Sequence, residues 1–414
     1  MKSAIFKSAT CAACSLGTAS VFGQSSVTLY GLIDAGLNYT TNVQTGRSGG
    51  ALVGHSQYSF QDGVSGGQNG SRWGLLGSED LGGGLSAIFR LESGFAINTG
   101  ALGQGGAGVG RQAYVGLKSN AGTVTLGRQY DSVATTVGPF SAAAQWGGYM
   151  SSHAGDVDNL LNTRRINNTI KYSSPDYHGL SVTGLYSFGG VPGSVGRNQV
   201  WSAGVGYANG HLSAGAAYLN ARTPNFGFYG TNPSAGTTLT SNNIGSSGSA
   251  TTAESNPIYA GYASASTVQI AAAGAAYQFG AATLGATYSN TQFRGLGNTS
   301  ASGPNPLGYR GNATFNSAEA NLKYQVTPSF LLGVAYSYTR NSGADERSGA
   351  TYQQGSMGAD YSLSKRTDVY AIVVYQHVAG TDSLNQPAVA YITGQTPSAN
   401  NHQTAARLGM RHRF

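Results

Sequence analysis

Apolar and polar residues alternate along much of the chain, and this alternation is the first guide to its fold. Alternation with a period of two predicts a strand with one apolar and one polar face. Leu180 to Phe188 is one clear case, and in Thr314 to Thr327 the charged Glu319 and Lys323 fall on the polar face only. In Ser26 to Thr41 the apolar face carries Val27, Leu29, Ile33, Ala35, Leu37 and Tyr39, and the polar face carries Thr28, Tyr30, Asp34, Asn38 and Thr40. One face suits lipid and the other suits water.

Sixteen segments of this kind can be counted, and the connections between them alternate in length. Short connections carry turn residues, as at Asn209-Gly210 and Thr327-Pro328, whereas most others are long. This arrangement is typical of a bacterial transmembrane barrel, all-β and antiparallel, with tight turns at one end and loops at the other. The predicted strands are at about 26 to 41, 71 to 78, 84 to 97, 110 to 118, 122 to 130, 164 to 173, 180 to 189, 198 to 208, 211 to 221, 266 to 278, 282 to 293, 314 to 325, 329 to 340, 351 to 361, 367 to 378 and 404 to 414. The longest predicted loops are 42 to 70, 131 to 163 and 222 to 265.

Composition favours the same class. Only 9% of the residues are charged, against roughly 25% in ordinary soluble domains. Low charge suggests a membrane protein, yet no stretch approaches the roughly 20 consecutive apolar residues of a transmembrane helix. The 63 Gly and 25 Tyr favour strands and turns over helices.

The first 23 residues have the pattern of a secretory signal. Lys2 and Lys7 precede a weakly apolar middle, and small residues surround a cleavage point that leaves Gln24 as the first residue of a barrel domain over 24–414. Cys11 and Cys14 both lie in this segment, so disulfides and thiolate-bound metal are not expected in the exported chain. Without the two lysines, 21 basic residues face 16 acidic ones. This modest excess, spread along the chain, does not indicate nucleic-acid binding.

Six stretches, in order along the chain, together carry a resemblance to a known family. They are SVTLYGLIDAG (26–36), SRWGLLGSEDLGGGL (71–85), RQAYVGL (111–117), GTVTLGRQ (122–129), RINNTIKYSSP (165–175) and GMRHRF (409–414). The chain resembles the general porins of Gram-negative bacteria, in particular the form common in β-proteobacteria. The resemblance implies an outer-membrane barrel of sixteen strands, homotrimers, and a third long loop folded inward to narrow a pore.

The resemblance also implies a pore constriction in which that loop faces a row of arginines. The matching positions are Arg72, Arg128 and Arg165. Alternation places Arg72 and Arg165 on the polar face, and Lys171 shares the parity of Arg165. Arg128 groups with Val124 and Leu126, so a lumenal position would need a bulge at Gly127 or contact with another subunit. Within the loop, Asp156 and Asp158 are candidates for the acidic side of a transverse field.

The last strand provides a separate signal. Leu408, Met410, His412 and Phe414 share one face, and Arg407, Arg411 and Arg413 share the other. An aromatic C-terminal residue on the lipid face resembles the signal read by the barrel-assembly machinery.

The function expected from these observations is passive diffusion of ions and small hydrophilic solutes, with a preference for anions, and without a cofactor. Two alternatives remain open: a secreted Gly/Ser-rich adhesin-like β protein, and an outer-membrane barrel hydrolase. The Gly63-Val-Ser65-Gly-Gly67 stretch matches a nucleophile elbow, but it lies in a loop without the strand and helix that this motif requires. The seven His are scattered without metal-ligand spacing, so no metal site is expected.

Overall fold

The computed structural model describes residues 25–230 and 242–414. The predicted signal at 1–23 lies outside the described residues. Antiparallel strands dominate the described part: β1 (Ser26–Ser48), β2 (Ala51–Asp62), β3 (Arg72–Gly82), β4 (Leu85–Gly94), β5 (Gln112–Ser119), β6 (Gly122–Gln129), β7 (Ile166–Ser173), β8 (Leu180–Ser187), β9 (Val200–Asn209), β10 (Leu212–Arg222), β11 (Thr267–Phe279), β12 (Ala282–Leu296), β13 (Gly311–Thr327), β14 (Phe330–Asn341), β15 (Ala350–Ser362), β16 (Thr367–Gly380) and β17 (His402–Arg413). From β3 to β17 each strand pairs with the next along the chain. No helix in the described residues is long and apolar enough to cross a membrane.

Strands β2 and β3 together occupy one position in the sheet. Both pair with β1: its Ala35–Ser48 part pairs with β2, and its Ser26–Leu32 part pairs with β3. Residues 63–71 leave the sheet between them. The described strands therefore fill sixteen positions, as the alternation predicted. The expectation that 42–70 forms one long loop is wrong, because β1 continues to Ser48 and returns as β2.

The β1–β2 hairpin turns at Gly49 and Gly50, whose φ angles are 57° and 85°. Positive φ at both central residues is the requirement of a two-residue type I′ turn, which glycine meets without strain.

The ring closes between the first and the last strand. Leu32 to Thr40 of β1 pair with Arg413 to Ala405 of β17. Beyond β17, Phe414 exchanges both backbone hydrogen bonds with Gly31. The Phe414 ring lies where a Cβ on Gly31 would be, so this glycine provides the space for the terminal aromatic ring.

A buried ion pair lies beside this closure. The Arg407 guanidinium is 3.1 Å from an Asp34 carboxylate oxygen, and both side chains are fully shielded from solvent. Tyr370 donates a hydrogen bond to the same carboxylate, and Arg407 donates another to Asn38. The network links β1, β16 and β17 on the buried face of the sheet.

The two faces of the sheet are opposite to those of a soluble sandwich. On β12 the polar Thr287, Ser289 and Thr291 are buried, whereas Leu284 and Tyr288 are half exposed. Leu408 on β17 is 64% exposed. A polar inner face and an apolar outer face are the arrangement of a barrel that lies in lipid. The fold is therefore a closed, sixteen-position antiparallel transmembrane barrel.

The segment between β6 and β7 packs against the buried face of the distant wall. Its Ala142 backbone N–H donates to Glu319 on β13, and Gln354 on β15 donates to the carbonyls of Met150 and Ser152. Trp146, only 3% exposed, lies flat against two glycines of β14 and β15, Gly333 and Gly358. These glycines form a slot in the wall that admits the indole ring.

We predict that filling this slot destabilises the protein. A Cβ at Gly358 would lie 2.6 Å from the Trp146 ring, so Gly358→Ala should lower the free energy of unfolding by about 1–3 kcal/mol through overpacking. Gly355 lies on the same strand with no atom within 4 Å of such a Cβ, and Gly355→Ala should change stability by less than about 0.5 kcal/mol. Denaturant unfolding in detergent micelles measures both. Equal effects of the two substitutions would contradict the packing of Trp146 in the slot.

Candidate functional site: a cavity lined by arginines

A cavity of about 350 Å³ lies between the wall formed by β3 to β5 and the segment that follows β6. Among the described residues that line it are four arginines and one acid, Arg72, Arg90, Arg111, Arg165 and Glu92. Tyr130, Tyr149, Gln68, Asn69 and Asn162 add polar groups to the lining. The cavity therefore has a strong excess of positive charge.

Glu92 organises one side of this cavity. It accepts a hydrogen bond of 2.7 Å from Arg111 and one of 2.8 Å from Tyr30, and it lies 4.0 Å from the Arg72 guanidinium. Arg90 precedes Glu92 by two residues, so the two side chains share a face of β4. One carboxylate is thus shared among several cations. The Nε of Arg90 and one terminal nitrogen of Arg111 are buried without a partner.

Arg165 provides the cation on the opposite side. It lies immediately before β7, donates to the carbonyl of Thr163, and has its guanidinium 5.6 Å from the centre of the Tyr130 ring. Lys171 lies deeper on β7 and donates to the Tyr130 carbonyl at 2.9 Å. Lys171 is therefore close to the site but is engaged with the backbone instead of lining the cavity.

The structure does not bring Arg128 to this cavity. Arg128 pairs with Ala113 of β5, and its neighbours in the same alternation, Val124 and Leu126, are exposed. Its guanidinium donates to the Gly110 carbonyl and to the side chain of Asn167. A third nitrogen contact of Arg128, at 3.4 Å, is to the Arg165 carbonyl, and Arg128 lines a separate cavity with Gly110 and Asn167.

Asp156 and Asp158 are also held away from the arginines. Both are buried, and Asp156 accepts hydrogen bonds from the Leu161 and Thr163 backbone and from the Thr163 hydroxyl. Asp158 pairs with His153 at 2.6 Å and accepts a 2.5 Å hydrogen bond from Ser289 on β12. Their contacts hold the segment in shape and connect it to the wall.

His153 lies between this segment and the wall. Besides Asp158, it lies 3.8 Å from Glu319 on β13 and 3.3 Å from the Thr287 hydroxyl. Burial alone would lower the pKa of His153, but Asp158 and Glu319 outweigh it and raise that pKa to about 9. The imidazolium in turn lowers the pKa of Asp158, against the effect of burial. Burial and the neighbouring Asp158 raise the pKa of Asp156 to about 6.

Three charged residues of the cavity were missed by the sequence analysis: Arg90, Glu92 and Arg111. A signal was present for the first two, because they alternate with Phe89 and Leu91 on β4 and so share the polar face. Arg111 begins one of the stretches that carry the porin resemblance. Residues 25–230 and 242–414 bring together no group of three or more His, Cys, Asp or Glu side chains that could hold a metal ion.

The ion pair at His153 predicts a pH dependence. Its pKa lies above the ordinary value of about 6.5, so its stabilising effect is complete below pH 6.5 and is lost as the pH rises through about 9. His153→Asn should cost about 3–5 kcal/mol at pH 6.5, since it leaves buried charge without its partner. The difference in unfolding midpoint between wild type and variant should shrink between pH 7 and 10. His178→Asn, in an exposed turn, is the control, and a difference that does not depend on pH would contradict the assignment.

Comparison with known proteins gives one consistent result. The Gram-negative porin family matches residues 9–381. An outer membrane porin protein of Bordetella pertussis is 30% identical, over 94% of this chain and 95% of the relative. Outer membrane porin protein 32 of Delftia acidovorans is 28% identical over the same shares of the two chains. The solved structure of the anion-selective porin from Comamonas acidovorans has the same fold, with a TM-score of 0.66 at 22% identity over 94% of this chain and 100% of that one. The chain therefore belongs to the Gram-negative porins, which are channels of the bacterial outer membrane and not enzymes.

Proposed function

We propose that this porin is a passive diffusion channel for ions and small hydrophilic solutes that prefers anions. The observation that carries the proposal is the charge of the 350 Å³ cavity, where Arg72, Arg90, Arg111 and Arg165 face the single acid Glu92 among the described lining residues. A ring of fixed charge in a narrow passage raises the local concentration of ions of opposite sign. The porin from Comamonas acidovorans, whose fold this chain shares, is anion-selective, which supports the proposal.

In this proposal the segment between β6 and β7 is the inward-folded third loop, and it forms one side of the constriction. Its contacts with Glu319, Gln354 and the glycine slot support a fixed position against the far wall. Arg72 and Arg165 face the passage, and Lys171 contributes a longer-range positive potential. Asp158 anchors the loop through His153 and Asp156 holds its shape through Thr163, so the positive wall dominates the field and Glu92 offsets part of its charge. Arg128 lies beside this constriction, where its guanidinium donates to the Arg165 carbonyl.

Four further parts of the proposal concern biogenesis and assembly. Residues 1–23 are removed as a signal on export, which leaves Gln24 first. The barrel-assembly machinery reads Phe414, whose ring lies on the same face as the exposed Leu408 and Met410. Outer-membrane lipid surrounds the apolar face, and three copies assemble as a homotrimer.

Reversal potentials in a planar bilayer across a KCl gradient test the selectivity. We expect wild-type channels to favour chloride, and we expect Arg72→Gln with Arg165→Gln to lower the chloride-to-potassium permeability ratio about two- to tenfold, since each removed charge contributes on the order of 1 kcal/mol at close range in water. Lys365→Gln with Arg366→Gln removes two charges from the exposed turn between β15 and β16 and should leave the ratio unchanged. Cation selectivity of the wild type, or equal effects of the two changes, would contradict the proposal.

A further inference from the structure

A second polar cavity, of about 250 Å³, lies on the other side of the segment that carries Arg165. Arg164 lines this cavity, whereas the adjacent Arg165 lines the first one. Thr163 also lines this cavity, together with Asn256 and Thr393, which belong to two later loops. One short stretch of chain therefore presents a cation to each of two neighbouring cavities.

Arg164 is held in place but keeps donor capacity. Its guanidinium lies 5.1 Å from the centre of the Tyr229 ring, a cation–π arrangement that fixes the plane of the group. Its Nε is buried and has no hydrogen-bond partner. The nearest acid, Asp156, has its oxygens engaged by Leu161 and Thr163 and does not line the cavity. Among the described lining residues, Arg164 is the one that carries a formal charge.

Two further polar atoms at this cavity have no partner. Asn256 is 6% exposed; its amide nitrogen donates to the Ile244 carbonyl, but its carbonyl oxygen accepts nothing. Thr393 is 8% exposed, and its hydroxyl also has no partner. A buried polar group without a hydrogen bond costs about 1–3 kcal/mol. The cavity therefore offers the Arg164 cation, the Asn256 carbonyl as an acceptor and the Thr393 hydroxyl. A ligand with an anionic group and a hydroxyl group would satisfy the hydrogen-bonding capacity of all three.

We propose that this cavity is a binding station for small carboxylates that carry a hydroxyl group. The carboxylate pairs with Arg164, and the ligand hydroxyl donates to Asn256 and contacts Thr393. The volume lies below the roughly 300–1,000 Å³ of pockets for drug-sized ligands, so it suits a solute of a few carbon atoms. The role of the station rests on the proposed channel function, because a solute held at Arg164 has the cation of Arg165 next on its path.

Titration calorimetry of the detergent-solubilised protein tests binding, with lactate and propanoate as probes that differ by one hydroxyl group. We expect lactate to bind about three- to tenfold more tightly than propanoate, the effect of one net hydrogen bond. Thr393→Val keeps the side-chain shape and should reduce that difference. Arg164→Gln should weaken both probes about tenfold or more, because it removes a charge-assisted contact. Arg366→Gln, which removes a cation from the exposed turn between β15 and β16, should alter neither affinity.

The channel measurement separates this inference from the proposed function. In a bilayer, lactate should reduce the chloride current of the wild type more than propanoate does, and Thr393→Val should reduce this difference even if Arg164→Gln disturbs the loops. Equal binding of the two probes to the wild type would mean that the hydroxyl group is not recognised, and unchanged binding in Arg164→Gln would mean that the probes bind elsewhere. Either result would overturn the station. An anion-selective channel that does not distinguish lactate from propanoate would refute the binding station but leave the proposed channel function intact. If the channel is cation-selective but calorimetry still shows tighter binding of lactate than of propanoate, the site at Arg164 is supported and the proposed anion preference is refuted.

Discussion

The structure depends on one constraint: a backbone N–H or C=O inside lipid has no water to bind, so each must find its partner in the protein. A sheet satisfies this only when it closes, and here β1 closes it by pairing with β17 on one side and with β2 and β3 on the other. The buried pair of Arg407 and Asp34 lies at this seam. Neither charge would be stable there alone, because the desolvation of an unpaired buried ion costs several kcal/mol or more. The seam therefore joins the first strand to the last and pairs two buried charges of the interior.

Closure of the sheet creates an interior, and the sizes and charges of the side chains on the inner wall decide where the loop between β6 and β7 packs. Along β14 and β15, Gly333 and Gly358 leave room for the ring of Trp146. Across the barrel, the wall at β3 to β5 carries long charged side chains, and Glu92 keeps several of them together. The loop consequently packs against the glycines of β14 and β15 and leaves the cavity beside the charged side chains of β3 to β5. The position of the arginine-lined cavity is thus a result of side-chain size on two opposite walls as much as of charge.

Much of this could be predicted from the sequence, because lipid on one side and water on the other impose a period of two on each strand. That pattern predicted sixteen positions and the closing strand, and it grouped Arg72 and Arg165 with polar neighbours, in keeping with the cavity that both of them line. It failed at 42–70, because the alternation there is short: only Tyr58 and Phe60 continue the apolar face, opposite Tyr39 and Leu37 of β1. The partners of Asp158 could not be found either, because Ser289 lies on a strand more than a hundred residues away. Local alternation reports which face a side chain occupies, but not which distant side chain lies opposite.

The hairpin turn of Gly49 and Gly50 has a practical consequence. A Cβ at either residue would meet no atom within 4 Å, and the strands that carry the turn are joined by their own ladder of hydrogen bonds. A peptide epitope spliced between these glycines would be displayed at the tip of the β1–β2 hairpin, outside the lining of the arginine cavity. The same protein could then serve as a surface carrier while it still conducts.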